Sequence, residues 1–180
     1  MPEKNKQHDH FRPSWDDYFM AIARIVSTRA SCDRLHAGAV LVKDKRIVST
    51  GYNGSPPNLE HCDDVGHLME EGHCVRTIHA EHNSLLQAAV VGSASTKGTT
   101  LYTLSSPCIH CAKYVAAAGV ERIVIGKTYR NGDVKEYLEK AGIEVVIYEP
   151  ADGWYDFIAN MFSNDIEVKC AAEVKLKTEE

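Results

Sequence analysis

The chain has 180 residues, of which 44% are hydrophobic and 25% charged, and its formal net charge is -5. That composition predicts one globular domain with a real core, and no run of about 18 apolar residues offers a membrane-spanning helix. A balance this acidic argues against broad adhesion to nucleic acid. The polar opening MPEKNKQHDHFRPSW lacks the apolar stretch of a secretory signal, so a cytoplasmic location is expected. Residues 1–12 are read as a flexible N-terminal segment, 13–150 as the folded domain, and 151–180 as a C-terminal helix and tail. Ser14, followed three residues later by Asp17, makes a capping-box pattern directly after Pro13. Trp15, Tyr18, Phe19, Ile22, Ile25 and Val26 recur at helical spacing, which predicts a helix to about Arg29. AVLV at 39–42 and IVSTGY at 47–52 flank the charged turn KDKR, a β-hairpin pattern. The stretch 53–77 opens with the turn-rich NGSPPN and shows no periodicity. A structureless segment of that length inside a compact domain is unusual unless something ties it down. HAEHNSLLQAAVV at 79–91 reads as a helix with Leu85, Leu86 and Ala89 on its apolar face and Gly92 as its stop. TTLYTL at 99–104 reads as a strand, CIHCAKYVAAAG at 108–119 as a helix and RIVIG at 122–126 as a strand. VKEYLEKAG at 134–142 is a helix and IEVVIY at 143–148 a strand, and Asp152 is placed to cap a last helix over WYDFIANMF. Strands alternating with helices after residue 78 imply parallel pairing by crossovers, added to the antiparallel hairpin. The expected fold is α/β, a mixed sheet of about five strands layered between helices.

Six cysteines (Cys32, Cys62, Cys74, Cys108, Cys111 and Cys170) and nine histidines carry the chemical information. Without a secretory signal, thiols serving as metal ligands outweigh a disulfide framework. Imidazole and thiolate together suit zinc. Two motifs concentrate these groups, His79-Ala80-Glu81 and Pro107-Cys108-Ile109-His110-Cys111, and each opens a predicted helix. Cys108 and Cys111 stand three apart and so point to one side. A helix N-terminus lowers a thiol's pKa, which favours metal binding. With His79 as the third ligand, a tetrahedral zinc keeps one open position, the catalytic arrangement. Glu81, two residues past His79, is placed to shuttle a proton rather than to ligate. A lone CxxC would suit a structural zinc knuckle or a redox pair. H-x-E followed by P-C-x-x-C is the signature of zinc-dependent nucleobase deaminases.

GYNGSPP at 51–57, HCVRTIHAEHNSLLQAA at 73–89 and TLSSPCIHCAK at 103–113 together resemble the deoxycytidylate (dCMP) deaminase family, over roughly residues 14–150. The resemblance implies the cytidine-deaminase fold, a three-layer α/β/α sandwich with a mixed five-stranded sheet. It implies deamination of dCMP to dUMP and ammonia, with a free small-molecule nucleotide as partner and neither membrane nor nucleic acid. It also implies a homo-oligomer, commonly a hexamer, regulated by dCTP with Mg2+ (activating) and by dTTP (inhibiting). Carried onto this chain, His79, Cys108 and Cys111 would hold a catalytic Zn2+. Glu81 would protonate cytosine N3 and then help the amino group leave. Asn53 resembles the family asparagine that contacts the substrate sugar, although Asn-Gly is also a common hairpin turn. The backbone N–H of Ala80 and the carbonyl of Ser106 would read the pyrimidine edge. Arg130, in the polar loop YRNGD, is the candidate for the substrate phosphate, with a solvated surface arginine as the other reading. Leu104, where threonine is usual before S-P-C, and Ser84, where alanine commonly follows HAExN, depart from the family pattern.

Cys32, Cys62 and Cys74 remain. Any one alone would read as a buried thiol. Three of them, two bracketing most of the aperiodic stretch, read as a second metal site. Some dCMP deaminases carry a structural zinc built from the end of the first helix and this insertion, and Cys32 and Cys62 fall at matching places. His67 and His73 compete for the fourth position. His67 is preferred, because a residue adjacent to Cys74 rarely shares its metal. The set for a structural Zn2+ is Cys32, Cys62, His67 and Cys74, and Cys170 reads as a tail thiol. Two other functions stay open. Adenosine deamination in tRNA is disfavoured by the acidic charge. A noncatalytic, zinc-stabilised interaction protein is disfavoured by Glu81, since a structural zinc needs no proton shuttle.

Overall fold

A computed structural model describes residues 12–92, 95–128 and 132–163. Most of the N-terminal segment expected to be flexible, Arg130 with its loop, and the tail beyond 163 with Cys170 lie outside the described residues. Ser14–Glu149 form one compact unit, and the described residues 150–163 belong to a second.

Helix α1 (Trp15–Ser27) begins with the capping box that its sequence encodes. The Asp17 N–H donates to Ser14 Oγ at 3.0 Å, and the Ser14 N–H donates to Asp17 Oδ2 at 3.3 Å. Strands β1 (Gly38–Lys43) and β2 (Arg46–Tyr52) form the hairpin. Asp44 and Lys45 turn it at φ 49° and 60°, the two-residue geometry that matches strand twist, here achieved without glycine. There follow α2 (Cys62–Val65), β3 (Met69–Glu70), β4 (His73–Cys74), α3 (Ala80–Val91), β5 (Thr99–Thr103), α4 (Ile109–Ala117), β6 (Val120–Ile125), α5 (Gly132–Lys140) and β7 (Glu144–Ile147). Helix α6 (Trp154–Ser163) belongs to the second unit, where Trp154 stacks on Phe157 with ring centroids 5.7 Å apart.

The main sheet has the order β2-β1-β5-β6-β7. β1 is antiparallel to both β2 and β5, whereas β5, β6 and β7 run parallel. Each parallel step crosses over through a helix, first α4 and then α5. Successive strand residues face opposite layers. On one side Ala39, Leu41, Leu101 and Ile123 pack with Leu85 and Ala88 of α3, Ala112 and Val115 of α4, and Val134 and Leu138 of α5. On the other, Val40, Val42, Tyr102 and Val124 pack with Phe19, Met20 and Ala23 of α1. Helices therefore cover both sides of a mixed five-stranded sheet, the α/β/α sandwich expected from the sequence. Among the described residues no helix is long and apolar enough to cross a membrane.

Two glycines set how closely the layers approach. A Cβ at Gly51 of β2 would strike the Ala80 carbonyl and the Ser84 backbone nitrogen in α3. One at Gly38 of β1 would strike the Ala23 carbonyl of α1. The glycine of the GYNG motif thus sits where β2 receives the helix that carries Glu81.

The structure departs from the sequence reading at three places. The stripe of α1 that is buried is Phe19, Met20 and Ala23, while Trp15, Tyr18 and Ile25 are exposed. The close approach at Gly38 seats the small Ala23 on the sheet and turns the outer aromatics toward solvent. In α3 the inward residues are Ala80, Glu81, Ser84, Leu85 and Ala88, and Leu86 and Ala89 are exposed. Its first turn (Glu81, His82, Asn83 and Ser84) is polar all round and its later turns are mostly apolar, so periodicity singles out no face. The stretch 53–77 is not structureless, since α2, β3 and β4 occupy it. Glu71 and Gly72 turn the β3–β4 hairpin at φ 46° and 80°. An isolated antiparallel bridge between Gly54 and Ile78 closes the segment, with N–H···O distances of 3.2 and 2.9 Å.

Candidate active site

Both motifs lie where a loop turns into a helix. His79 is the N-cap residue of α3 (φ −67°, ψ 152°) and Cys108 that of α4 (φ −73°, ψ 167°). Neither side chain caps its own helix; the imidazole and the thiol meet each other instead. His79 Nδ1 lies 3.5 Å from Cys108 Sγ and 3.5 Å from Cys111 Sγ. All three ligand atoms fall within 4.8 Å of one another. A tetrahedral zinc with Zn–N of about 2.0 Å and Zn–S of about 2.3 Å sets its nitrogen and sulfur ligands about 3.6 Å apart. The spacing and the donor set fit zinc, with a fourth position left over. A hydrogen bond with Cys111 draws the Cys108 thiol down to about 3 against its burial, and His79 adds to that pull. The same contact, together with burial, pushes Cys111 up. The bond to Cys108 raises the His79 imidazole. These groups share protons that a cation would displace.

Glu81, in the first turn of α3, is 6% exposed. Burial lifts its carboxyl above the ordinary carboxylate range, while its own backbone N–H and the neighbouring His79 pull the other way. Thr103, the last residue of β5, places Oγ1 3.5 Å from Glu81 Oε1, and its O–H has the nearer Ser105 carbonyl at 3.0 Å. A buried carboxyl whose proton affinity is raised is suited to general acid–base work. Thr103 opens the TLSSPCIHCAK stretch, but only the topology brings the end of β5 beside α3.

Ala80 is fully buried at the start of α3. Ser106 lies in the loop after β5, where its N–H donates to the Lys127 carbonyl at 2.9 Å. Asn53 directly follows β2 and is also 6% exposed. Its Oδ1 accepts from the Ala37 N–H at 2.7 Å, and its Nδ2 donates to the Leu35 carbonyl at 2.6 Å. The amide thus clamps the loop before β1 and retains one N–H beyond those two bonds. Asn83 of α3 donates to the Tyr52 carbonyl at 2.9 Å, which ties the helix to the same strand end. Arg130 lies outside the described residues.

A second group forms from Cys32, Cys62, His67 and Cys74, whose ligand atoms also lie within 4.8 Å of one another. Cys32 Sγ is 3.8 Å from His67 Nδ1, and Cys62 Sγ is 3.6 Å from Cys74 Sγ. All three cysteines are free thiols. Burial, with Cys74 and Cys32 alongside, pushes Cys62 up to about 12. Burial also raises Cys74, but backbone groups of Arg76 and Leu68, together with Cys62 and His67, bring it down to about 7. Three sulfurs and one imidazole at these distances could close a tetrahedron around zinc, with no position left open. His73 stands exposed on β4, outside the group. The other ring nitrogen of His67, Nε2, lies 3.1 Å from Asp33 Oδ1. Asp33 is absent from the sequence-based candidates; its adjacency to Cys32 was the available signal.

Known proteins share these features. Residues 13–127 match the cytidine and deoxycytidylate deaminase zinc-binding region. The chain is 42% identical over 135 residues to ComE operon protein 2 of Bacillus subtilis, covering 74% of this chain and 71% of that protein. It is 34% identical over 155 residues to the deoxycytidylate deaminase of Saccharomyces cerevisiae. That alignment covers 81% of this chain but 48% of the relative, so the chain spans about half the yeast protein's length. The dCMP deaminase of cyanophage S-TIM5, solved in complex with dCMP and dUMP, superposes with a TM-score of 0.65 at 31% identity, over 76% of this chain and 98% of that one. With the zinc-region match running through most of the compact unit, the chain belongs to the cytidine and deoxycytidylate deaminase family.

Proposed function

We propose that this chain hydrolyses dCMP to dUMP and ammonia. The observation behind the proposal is the convergence of His79 Nδ1 and two cysteine sulfurs at 3.5 Å, next to the buried carboxyl of Glu81. His79, Cys108 and Cys111 hold the catalytic zinc, and Cys32, Cys62, His67 and Cys74 hold a structural one. Zinc in the first site would acidify water at neutral pH. Glu81 takes one proton from the attacking water to cytosine N3 as the water oxygen bonds to C4, then carries the second, from the hydroxyl at C4, to the amino group, which leaves as ammonia as the C4–N bond breaks. Burial keeps its proton affinity high enough for both roles. By resemblance, the Ala80 N–H and the Ser106 carbonyl bind the pyrimidine edge and Arg130 binds the phosphate. The one N–H of Asn53 not engaged by Leu35 is the donor available to the sugar. A free nucleotide substrate goes with a cytoplasmic location. Hexamer assembly, activation by dCTP with Mg2+ and inhibition by dTTP belong to the same proposal.

Steady-state ammonia release from dCMP, deoxycytidine, dCTP and a tRNA anticodon stem-loop tests the reading, with dCTP and dTTP added to the dCMP assay in parallel. dCMP should be the preferred substrate. Preference for the stem-loop would reassign the site to adenosine. The second reading is a noncatalytic zinc-stabilised scaffold. Inactivity on every substrate would favour that reading.

A further inference from the structure

Cys32, Asp33 and Arg34 follow one another between α1 and β1, and each reaches the segment that Gly54 and Ile78 close. Cys32 Sγ faces His67 Nδ1 at 3.8 Å. Arg34 donates to Met69 Sδ at 3.0 Å and to the Gly72 carbonyl at 3.3 Å. Asp33 places Oδ1 3.1 Å from His67 Nε2. A neutral imidazole carries one proton between its two nitrogens. A carboxylate at Nε2 keeps that proton there, which leaves the Nδ1 lone pair facing the sulfurs of Cys32, Cys62 and Cys74. The same bond stops the ring from rotating away.

We propose that Asp33 is the positioning residue that holds His67 in the tautomer and orientation needed to ligate the second metal. This inference rests on the reading of Cys32, Cys62, His67 and Cys74 as a zinc site. The Asp33 side chain is 77% exposed, so as a plain surface ion pair it would contribute almost nothing. What sets it apart is its place on the ring nitrogen opposite the cluster, where a carboxylate orients a histidine ligand. One short loop then supplies a ligand, Cys32, and the group that aims another.

Zinc retention in the 180-residue chain tests this. Elemental analysis of the wild type should give two zinc ions per chain, and His79→Ala, which disables the first site, should give one. In the His79→Ala background, Asp33→Ala should release the remaining zinc to a chromogenic chelator about 10-fold faster. Asp33→Glu should restore most of the retention. With Co2+ in place of zinc, the thiolate-to-cobalt absorption should weaken or shift in Asp33→Ala and return in Asp33→Glu. Equal release rates with and without the Asp33 carboxylate, given two zinc ions in the wild type, would overturn the role of Asp33 alone. One zinc ion in the wild type would overturn the four-ligand site, and the inference with it.

Discussion

Glu81 and Asn53 are equally buried at the site, yet their polar atoms serve different ends. The Asn53 amide is bonded at both ends to the backbone of the loop before β1. The Glu81 carboxyl has its own backbone N–H and, at 3.5 Å, the Thr103 hydroxyl, and burial raises its affinity for a proton. A side chain loosely held and easily protonated is suited to carrying protons. Glu81→Gln keeps the shape and removes the proton chemistry. It should lower kcat for dCMP by about 100- to 10,000-fold, with zinc content and Tm unchanged. Ammonia release measured beside elemental analysis and a melting curve would check this, and near-wild-type turnover would take Glu81 out of the chemistry. His79, Glu81, Cys108 and Cys111 were legible because each pair of neighbours is encoded within a few residues at a helix start. Thr103 and Asp33 were not, because their partners arrive from distant parts of the chain and neither residue type is unusual where it stands.

Among the elements, α1 shows how a legible helix can hide the way it docks. Its start was readable from Ser14 and Asp17. Its buried face was not, because the apolar side chains form a stripe wider than the contact and Gly38 decides which part lies closest. Charge also holds it. Arg122 of β6 donates to Asp16 Oδ1 and Oδ2 at 3.0 and 2.8 Å, and the Tyr102 hydroxyl donates to Oδ1 at 2.8 Å. The Arg122 guanidinium holds the Asp16 carboxyl below its ordinary range, against partial burial. A carboxyl whose pKa is lowered by folding stabilises the native state above its unfolded value of about 3.9. That stabilisation fades as pH falls through the lower folded value. Asp16→Asn should therefore cost about 1 kcal/mol at pH 7, since the pair is partly open to solvent. Urea unfolding at pH 7 and at about pH 3 should show the gap between the two proteins narrowing in acid. A gap of the same size at both pH values would mean that shape, not charge, docks the helix here.

At the scale of the whole molecule, the sheet was readable because periodicity and alternation are properties of contiguous residues. β5, α4, β6, α5 and β7 announce parallel crossovers in order. The segment from Gly54 to Ile78 obeys no such rule. Helix α2 is a single turn and β3 and β4 have two residues each, too little to stand alone. Nor does it bring a core, since Leu59, Val65, Leu68, Met69 and Val75 are all exposed. A segment with so little buried apolar surface needs a staple, and the four ligand atoms around Cys62 are the natural one. With zinc bound there, as proposed, its order should depend on metal in a way that the sheet's does not. Treatment with a strong chelator should lower Tm and open the segment to limited proteolysis, with first cuts between residues 54 and 78 while the sheet survives. Added Zn2+ should reverse both effects by mass action on the folded form. Identical cleavage maps with and without chelator would assign the order of this segment to its hydrogen bonds instead, those of Arg34 to the hairpin and of Arg76 to the Gly66 carbonyl at 3.0 Å.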